Sequence, residues 1–168
     1  MKTLYLLRHA KSDWGNEGLR DFDRPLNHRG RKAAKAVGRA MRDRDIRPDL
    51  VIASPAIRAK ETVERILEGY GHDLRVTEDP RIYEGGTGTL LGLITGAPDD
   101  VEQLMLIGHN PGFQQLVVAL SDASALRGEV EEGFPTAALA ELRFPIDRWS
   151  EVAPGTGQLQ GLIKPRDL

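Results

Sequence analysis

Two short apolar runs that each lead into a histidine constrain this chain more than any other feature. The first run, Leu4–Leu7, leads into Arg8 and His9. The second run, Leu104–Gly108, leads into His109. Runs of this length bounded by polar, Gly or Pro residues are typical of buried strands in a parallel sheet. Because open α/β sheets carry their chemistry beyond the carboxyl ends of the strands, we expect both histidines to lie in one crevice.

A third apolar run, Leu50–Ala53, leads to Ser54, which we predict to be the N-cap of a helix. Arg58 then lies in the first helical turn, where the helix dipole disfavours a positive side chain by up to about 1 kcal/mol. A bound anion would reverse this cost, because it would accept hydrogen bonds from the helix amides and the guanidinium together. The alternative is a surface ion pair of Arg58 with Glu61 or Glu64, and placement on the helix does not separate the two.

Strand and helix signals alternate along the chain, which predicts an α/β protein with a mostly parallel sheet flanked by helices. Residues 10–26 are polar and mixed, and a loop of that length in a compact domain is usually functional. We predict helices over 29–43, 56–69, 90–94 and 111–120, further strands over 74–77, 136–144 (an outer strand) and 158–163, and an exposed loop over 121–132.

Length and composition narrow the class of protein. The 168 residues fit one domain over 1–168, and the net charge of −2 gives no support to a nucleic-acid partner. The chain has no cysteine, which excludes disulfides and thiolate zinc sites and is consistent with the cytoplasm. No apolar segment approaches the roughly 18 residues of a membrane span, so we expect a cytoplasmic protein with no membrane partner.

The candidate chemistry is phosphoryl transfer. A neutral imidazole nitrogen of His9 can attack phosphorus and carry the phosphoryl group covalently. The equatorial phosphoryl oxygens must then be held and neutralised, a task that suits Arg8, Arg58 and a protonated His109, with Arg24 of the long loop as a fourth donor. Two alternatives stay open: structural histidines bonded to backbone, and a metal site, which the clustered arginines disfavour.

Glu84 is the carboxylate best placed to supply a proton to the leaving group, because it follows an apolar pair and precedes glycines. A solvated loop residue explains Glu84 equally well. We interpret His28 and His72 as surface residues. Trp14 is expected to pack the long loop down or to line the mouth of the site.

Four segments occur in a fixed order between positions 4 and 112: LLRHA at 6–10, RPLNHRG at 24–30, SPAIRAKET at 54–62 and GHNP at 108–111. Together they resemble the motifs of the histidine phosphatase superfamily, also called the phosphoglycerate-mutase-like superfamily. The resemblance implies a three-layer αβα sandwich with a mostly parallel central sheet, and neither metal nor cofactor.

The resemblance also implies roles for individual residues. His9 would be phosphorylated transiently, and Arg8, Arg58 and His109 would form the phosphate pocket. We assign Asn27 to phosphate binding, together with Arg24 of the same segment. Asn110 stands where the acid-phosphatase branch has an aspartate proton donor, which argues against a phytase-like enzyme.

The short chain and the RHAKS segment at 8–12 look most like the SixA-type branch, which is associated with removing phosphate from phosphohistidine on proteins. We therefore expect a metal-independent phosphatase whose substrate is a phosphohistidine-bearing protein and whose product is inorganic phosphate. Two alternatives remain: a small-molecule phosphomonoesterase or mutase of the same superfamily, and a phosphate-binding or interaction module without turnover.

Overall fold

The computed structural model of the protein describes residues 1–168. It contains five α-helices and six strands. In chain order the elements are β1 (Lys2–Arg8), α1 (His28–Asp43), β2 (Leu50–Ala53), α2 (Ile57–Tyr70), β3 (Val76–Glu78), α3 (Thr87–Thr95), β4 (Gln103–Gly108), α4 (Gly112–Leu120), α5 (Ala125–Glu132), β5 (Leu139–Phe144) and β6 (Gln158–Ile163).

The strands form one sheet in the order β3-β2-β4-β1-β5-β6. The pairs β1–β4, β2–β4 and β2–β3 are parallel, which confirms the predicted mostly parallel sheet, while β5 and β6 add two antiparallel pairs. The prediction of an outer strand over 136–144 is wrong. That strand, β5, lies between β1 and β6, and its buried Leu142 and Phe144 belong to the core.

Helices cover both faces of the sheet, so the predicted αβα sandwich is confirmed. Successive side chains of a strand point to opposite faces. Leu4 and Leu6 of β1 therefore join a core with α3, α4 and α5, whereas Tyr5 and Leu7 join a second core with α1 and α2. None of the helices combines the length and the apolar character that a membrane crossing requires.

The helices α1 and α2 pack backbone against backbone. A Cβ on Gly38 would lie 2.2 Å from the carbonyl oxygen of Ile66, and one on Gly69 would lie 2.0 Å from that of Lys35. Only glycine allows so close an approach. This contact fixes α2 against α1 and so holds the N-terminal turn of α2, with Arg58, at the edge of the sheet.

The prediction of a loop over 121–132 is also wrong, because α5 begins at Ala125. The Ser124 side chain caps this helix by accepting a hydrogen bond from the amide of Arg127 at 3.2 Å. Val130 is buried in the core beside α4. A serine cap and one buried side chain are weak signals in a segment that is otherwise polar.

Candidate active site

The register of β1 against β4 brings the two histidines together. Arg8 pairs with Gly108 across the parallel strands, so His9 and His109 leave the sheet at the same level. The amide of His9 donates to the carbonyl of Gly108 at 2.9 Å. The two imidazole ring centroids are 5.1 Å apart.

A cavity of about 680 Å³ opens beyond these strand ends. Six of the predicted site residues line it: Arg8, His9, Arg24, Arg58, Glu84 and His109. Asn27 does not line this cavity. It is the N-cap of α1, where its Oδ1 accepts a hydrogen bond from the amide of Gly30 at 2.8 Å.

The hydrogen bond of the His9 side chain determines its tautomer. Nδ1 lies 2.7 Å from the carbonyl oxygen of Ala10. Because a carbonyl only accepts, Nδ1 carries the proton and the lone pair of the neutral ring is on Nε2. Burial in the first place, opposed in part by this bond, together with the nearby charges of His109 and Arg58, lowers the pKa of His9 to about 3. The imidazole is therefore neutral near pH 7.

His109 has a different neighbour. Its Nε2 lies 2.7 Å from Oγ of Ser54, and the ring packs edge-on against Tyr83 with centroids 5.5 Å apart. Burial, followed by the charge of Arg58, lowers the pKa of His109 to about 4. The protein alone thus keeps His109 neutral near pH 7, and the protonated form expected from the sequence needs an anion beside it.

Ser54 does not serve as the predicted helix cap. The N-cap of α2 is Ala56, two residues later, and it has no side-chain cap. The Ser54 hydroxyl instead accepts from the amide of Ala56 at 3.2 Å and bonds to His109. Ser54 is therefore part of the site, and a good capping residue before a proline concealed that role.

The partner of Arg58 is Asp21, not Glu61 or Glu64. Arg58 Nη1 donates to the Asp21 carbonyl at 2.7 Å, and Nη2 donates to its carboxylate at 3.0 Å. The carboxylate of Glu61 accepts instead from the backbone amide of Leu26 at 2.7 Å. The surface ion pair proposed as an alternative for Arg58 is thus wrong, because the long loop after β1 folds over the start of α2.

Asp21 bridges three side chains at the pocket. Its carboxylate accepts from the Tyr83 hydroxyl at 2.6 Å, from Arg24 at 3.2 Å and from Arg58. The Tyr83 hydroxyl in the first place, and then Arg24 and Arg58, lower the pKa of Asp21 to about 2. Sequence analysis missed both Asp21 and Tyr83. Only the spacing of three residues between Asp21 and Arg24 was a local signal.

The remaining arginines have distinct settings. Arg8 Nη1 donates to the carbonyl of Phe134 at 3.0 Å, and the other two nitrogens of the guanidinium have no protein partner. Arg24 donates to the Ser12 hydroxyl, and its guanidinium lies 3.5 Å from the ring centroid of Trp14. Trp14 is 75% exposed and lines the cavity, so it borders the mouth of the site.

Glu84 is exposed at the rim of the cavity. Its backbone is left-handed, with φ of 62°, a conformation that is uncommon for residues other than glycine. Its carboxylate accepts no hydrogen bond from the protein, so it is free to meet a ligand at the rim.

Thr62 ties two of these elements together and was also missed. Its hydroxyl donates to the carbonyl of Arg58 at 2.6 Å and accepts from the amide of Ala10 at 3.0 Å. One buried side chain therefore links the residue after His9 to the helical turn that carries Arg58.

Comparison with known proteins places the chain in a family. A model of the histidine phosphatase superfamily (branch 1) matches residues 4–107. The chain belongs to this superfamily. Among other relatives, the uncharacterized protein Rv1276c of Mycobacterium tuberculosis is 34% identical over 164 residues, which cover 95% of this chain and all of that protein. A 2,3-bisphosphoglycerate-dependent phosphoglycerate mutase of Mesorhizobium japonicum is 35% identical over 97 residues, 55% of this chain and 46% of the mutase.

Solved structures of the superfamily match the whole fold. The crystal structure of a protein assigned as the phosphohistidine phosphatase SixA from Agrobacterium tumefaciens has a TM-score of 0.84 and 31% identity, covering 98% of each chain. The protein histidine phosphatase SixA complexed with tungstate has a TM-score of 0.80 at 19% identity, again over 98% of each chain, and at that identity it supports the fold alone.

Proposed function

We propose that this histidine phosphatase superfamily member is a metal-independent phosphatase that forms a phosphohistidine intermediate at His9 and acts on phosphohistidine of proteins. The observation that carries the proposal is the hydrogen bond from His9 Nδ1 to the Ala10 carbonyl, 2.7 Å long. It holds the ring and leaves the Nε2 lone pair of a neutral imidazole without a protein partner. A nucleophile of this kind needs no prior loss of a proton.

In the first displacement, Nε2 of His9 attacks phosphorus as the bond from phosphorus to the leaving group breaks. The leaving imidazole nitrogen of the substrate keeps the bonding electrons and takes a proton from Glu84 or from solvent. In the second displacement, water attacks the phosphorus carried by His9. The products are inorganic phosphate, which keeps one O–H of the water, and free His9, and the second proton of the water returns to Glu84 or to solvent, whichever protonated the leaving nitrogen.

The cationic side chains around His9 supply the charge that phosphoryl transfer requires. Arg8 has donors without a protein partner, and Arg58 is 6% exposed, where its charge is poorly screened by water. A phosphoryl dianion beside His109 would raise the pKa of that imidazole from about 4, so binding and protonation favour each other. We assign Arg24 to the rim of this phosphate site.

Glu84 is the candidate general acid because its carboxylate is exposed at the cavity and has no protein partner, whereas the carboxylate of Asp21 is bound by Tyr83, Arg24 and Arg58. A nitrogen leaving group needs less help from an acid than an alkoxide does. We therefore expect Glu84→Gln to slow the hydrolysis of phosphate esters more than that of phosphohistidine. Equal turnover of the variant and the parent protein on both substrates would remove Glu84 from the mechanism.

The open rim supports a protein side chain as substrate. Trp14 and Glu84 at the mouth are both exposed, so a phosphorylated imidazole on a larger surface can reach His9. The likeness to the SixA structure from Agrobacterium tumefaciens, at 31% identity over 98% of both chains, supports the same class of substrate.

The donor set at the site supports catalysis without a metal. No group of three or more His, Cys, Asp or Glu side chains is arranged to hold a metal ion. Three arginines, Arg8, Arg24 and Arg58, line the cavity with the two histidines, and their charges repel a cation.

The test uses p-nitrophenyl phosphate and a chemically phosphorylated histidine peptide, each with excess EDTA. We expect hydrolysis of both, faster for the peptide, and a phosphorylated form of the protein on rapid quenching whose phosphate maps to His9 by mass spectrometry. His9→Ala should abolish hydrolysis and labelling.

His72→Gln, which alters an exposed histidine away from the cavity, is the matched control and should leave both rates unchanged. Hydrolysis that EDTA abolishes would overturn the metal-independent mechanism. Turnover that survives His9→Ala would overturn the covalent one, and hydrolysis of the ester alone would favour a small-molecule phosphomonoesterase.

A further inference from the structure

A second, smaller cavity beside the active site has a strongly basic lining. Its volume is about 280 Å³, and four of its eight lining residues are cationic: Lys11, Arg29, Lys164 and Arg166. No acidic side chain lines it. We call this cavity the basic cleft. A local excess of positive charge in a chain whose net charge is −2 means that charges are segregated on the surface.

Lys164 is the central residue of the basic cleft. It follows β6 directly and is only 9% exposed. Its ammonium group makes no hydrogen bond and no ion pair with the protein. The apolar stem of Lys164 is buried, while its ammonium group keeps contact with solvent. An anionic ligand that reaches Lys164 through the cleft would supply the missing partner.

The other cations of the basic cleft are also available to a ligand. Lys11 and Arg29 form no ion pair, and Arg166 has only a contact of 4.0 Å with the neighbouring Asp167. All three side chains are exposed. They come from separate parts of the chain, namely the loop after β1, the first turn of α1 and the C-terminal segment. Their convergence is therefore a product of the fold.

The basic cleft adjoins the catalytic pocket. Lys11 and Thr136 line both cavities. Lys11 follows His9 by two residues, so their Cα atoms are at most about 7 Å apart. A ligand with one anionic group at His9 can place a second one in the cleft.

Acidic residues border the far side of Lys164. A third cavity, of about 550 Å³, is lined by Lys164 and Arg166 but also by Glu129 and Glu132. Arg8 also lines this third cavity, and the two carboxylates offset part of the positive charge on that side, whereas no carboxylate offsets the four cations of the basic cleft. A negatively charged ligand is therefore directed towards Lys11 and Arg29.

We propose that the basic cleft binds aspartate and glutamate side chains that flank the phosphohistidine of a protein substrate. This proposal rests on the proposed function, and it names the surface that the substrate presents. Three of the four cations are exposed and carried by separate segments, which suits several carboxylates spread over a protein surface. A second phosphoryl group of a small substrate would be served better by an enclosed site than by a cleft whose cations are mostly exposed.

The first test compares three substrates: a phosphohistidine peptide flanked by glutamates, the same peptide with glutamines, and p-nitrophenyl phosphate. The variant combines K164M, which keeps the apolar stem of the lysine, with R166Q. We expect KM for the glutamate peptide to rise about tenfold, as for the loss of two partly screened ion pairs. KM for the glutamine peptide and for p-nitrophenyl phosphate should change by less than about twofold.

The matched control is R39Q. Arg39 is an exposed arginine of α1, about 15 Å along the helix from Arg29, and it lines neither cavity. R39Q should leave KM for all three substrates unchanged. E132Q removes a repulsive charge and should leave KM for the glutamate peptide unchanged or lower.

Two kinetic outcomes would overturn the proposal. One is an equal rise in KM for all three substrates, which would make Lys164 a structural residue. In that case the melting temperature of K164M would also be lower than that of the parent protein. The other is an equal KM of the parent protein for the two peptides. A fourth substrate, a small molecule with two phosphoryl groups, covers the remaining alternative. If K164M raises KM for this molecule but not for the glutamate peptide, the cleft is a site for small substrates.

A second measurement separates this proposal from the proposed function. The unphosphorylated glutamate peptide should inhibit p-nitrophenyl phosphate hydrolysis competitively, and K164M with R166Q should weaken the inhibition about tenfold. If the protein hydrolyses no substrate, titration calorimetry with the same peptide replaces the inhibition assay. If K164M with R166Q leaves the affinity for the unphosphorylated glutamate peptide unchanged, the proposal for the basic cleft is wrong. If the parent protein binds this peptide but does not hydrolyse phosphohistidine, only the proposed function is wrong.

Discussion

Replacing His9 by asparagine should remove a large part of the acid sensitivity of folding. In the unfolded chain a histidine takes up a proton below about pH 6.5, but burial lowers the pKa of folded His9 to about 3. The unfolded state therefore binds one more proton than the folded state between these values. Stability contributed by the neutral, buried ring is complete above pH 6.5 and is lost as the pH falls towards 3.

The magnitude follows from this difference in proton binding. One extra proton in the unfolded state costs 1.36 kcal/mol of unfolding free energy for each pH unit. At pH 4.5, two units below the ordinary histidine value, His9 alone accounts for about 2.7 kcal/mol. This is a large share of the 5–15 kcal/mol that is typical of a folded domain. The parent protein and the variant share all carboxylates and the other three histidines, so the difference between them reports on His9.

The assay is urea unfolding at several pH values between 4.5 and 7.5, for the parent protein and for His9→Asn. Any loss of packing or of the bond to Ala10 lowers the unfolding free energy of the variant equally at every pH. It does not change how steeply the unfolding free energy varies with pH. We expect the difference in unfolding free energy between the two proteins to change by about 2.7 kcal/mol across this range.

His72→Gln, at an exposed histidine, is the control and should run parallel to the parent protein. Parallel curves for His9→Asn and the parent would refute the reasoning, because they would show that the His9 ring takes up protons equally in both states.

Four further substitutions test the packing of the protein. Leu106→Ala, at a fully buried position of the central strand β4, should lower the unfolding free energy by about 2–5 kcal/mol in urea titration. Gly38→Ala should lower the unfolding free energy by about 1–3 kcal/mol because the added Cβ would lie 2.2 Å from the Ile66 carbonyl oxygen. A Cβ on Gly128 of α5 would meet no atom within 4 Å, so Gly128→Ala should raise the unfolding free energy by up to about 1 kcal/mol. Calorimetric melting of the two variants measures both effects. Thr62→Val leaves the buried amide of Ala10 unpaired and should lower the unfolding free energy by about 1–3 kcal/mol. It should also lower kcat for p-nitrophenyl phosphate, because Thr62 links Ala10 to the turn that carries Arg58. Unchanged stability and turnover would contradict this linking role.

Local sequence patterns predicted much of the scaffold correctly. The apolar runs before His9 and His109 are strands, and the helix predicted over 29–43 is observed as His28–Asp43. These features depend on residues close together in the chain, through side-chain alternation and helical periodicity. Sequence analysis assigned Asn27 to phosphate binding and did not predict its role as the N-cap of α1, although asparagine is a common N-cap residue.

Patterns were less informative where contacts decide the role of a residue. Asp21 contacts Arg58 and Tyr83, which lie 37 and 62 residues further along the chain. Ser54 is 55 residues from His109. No local spacing encodes these partners, because each contact depends on how loops and helices pack at the end of the sheet.

The sequence by itself determined that two histidines end two buried strands and that an arginine begins a helix beside them, since chain order and periodicity are local properties. Only the tertiary structure decided the rest. The parallel register of β1 and β4 set the histidine rings 5.1 Å apart, the loop carried Asp21 to Arg58, and the segment after β6 brought Lys164 to the cleft beside Lys11. Each of these arrangements joins residues that are distant in the chain, and only the packing of the sheet and its helices brings them together.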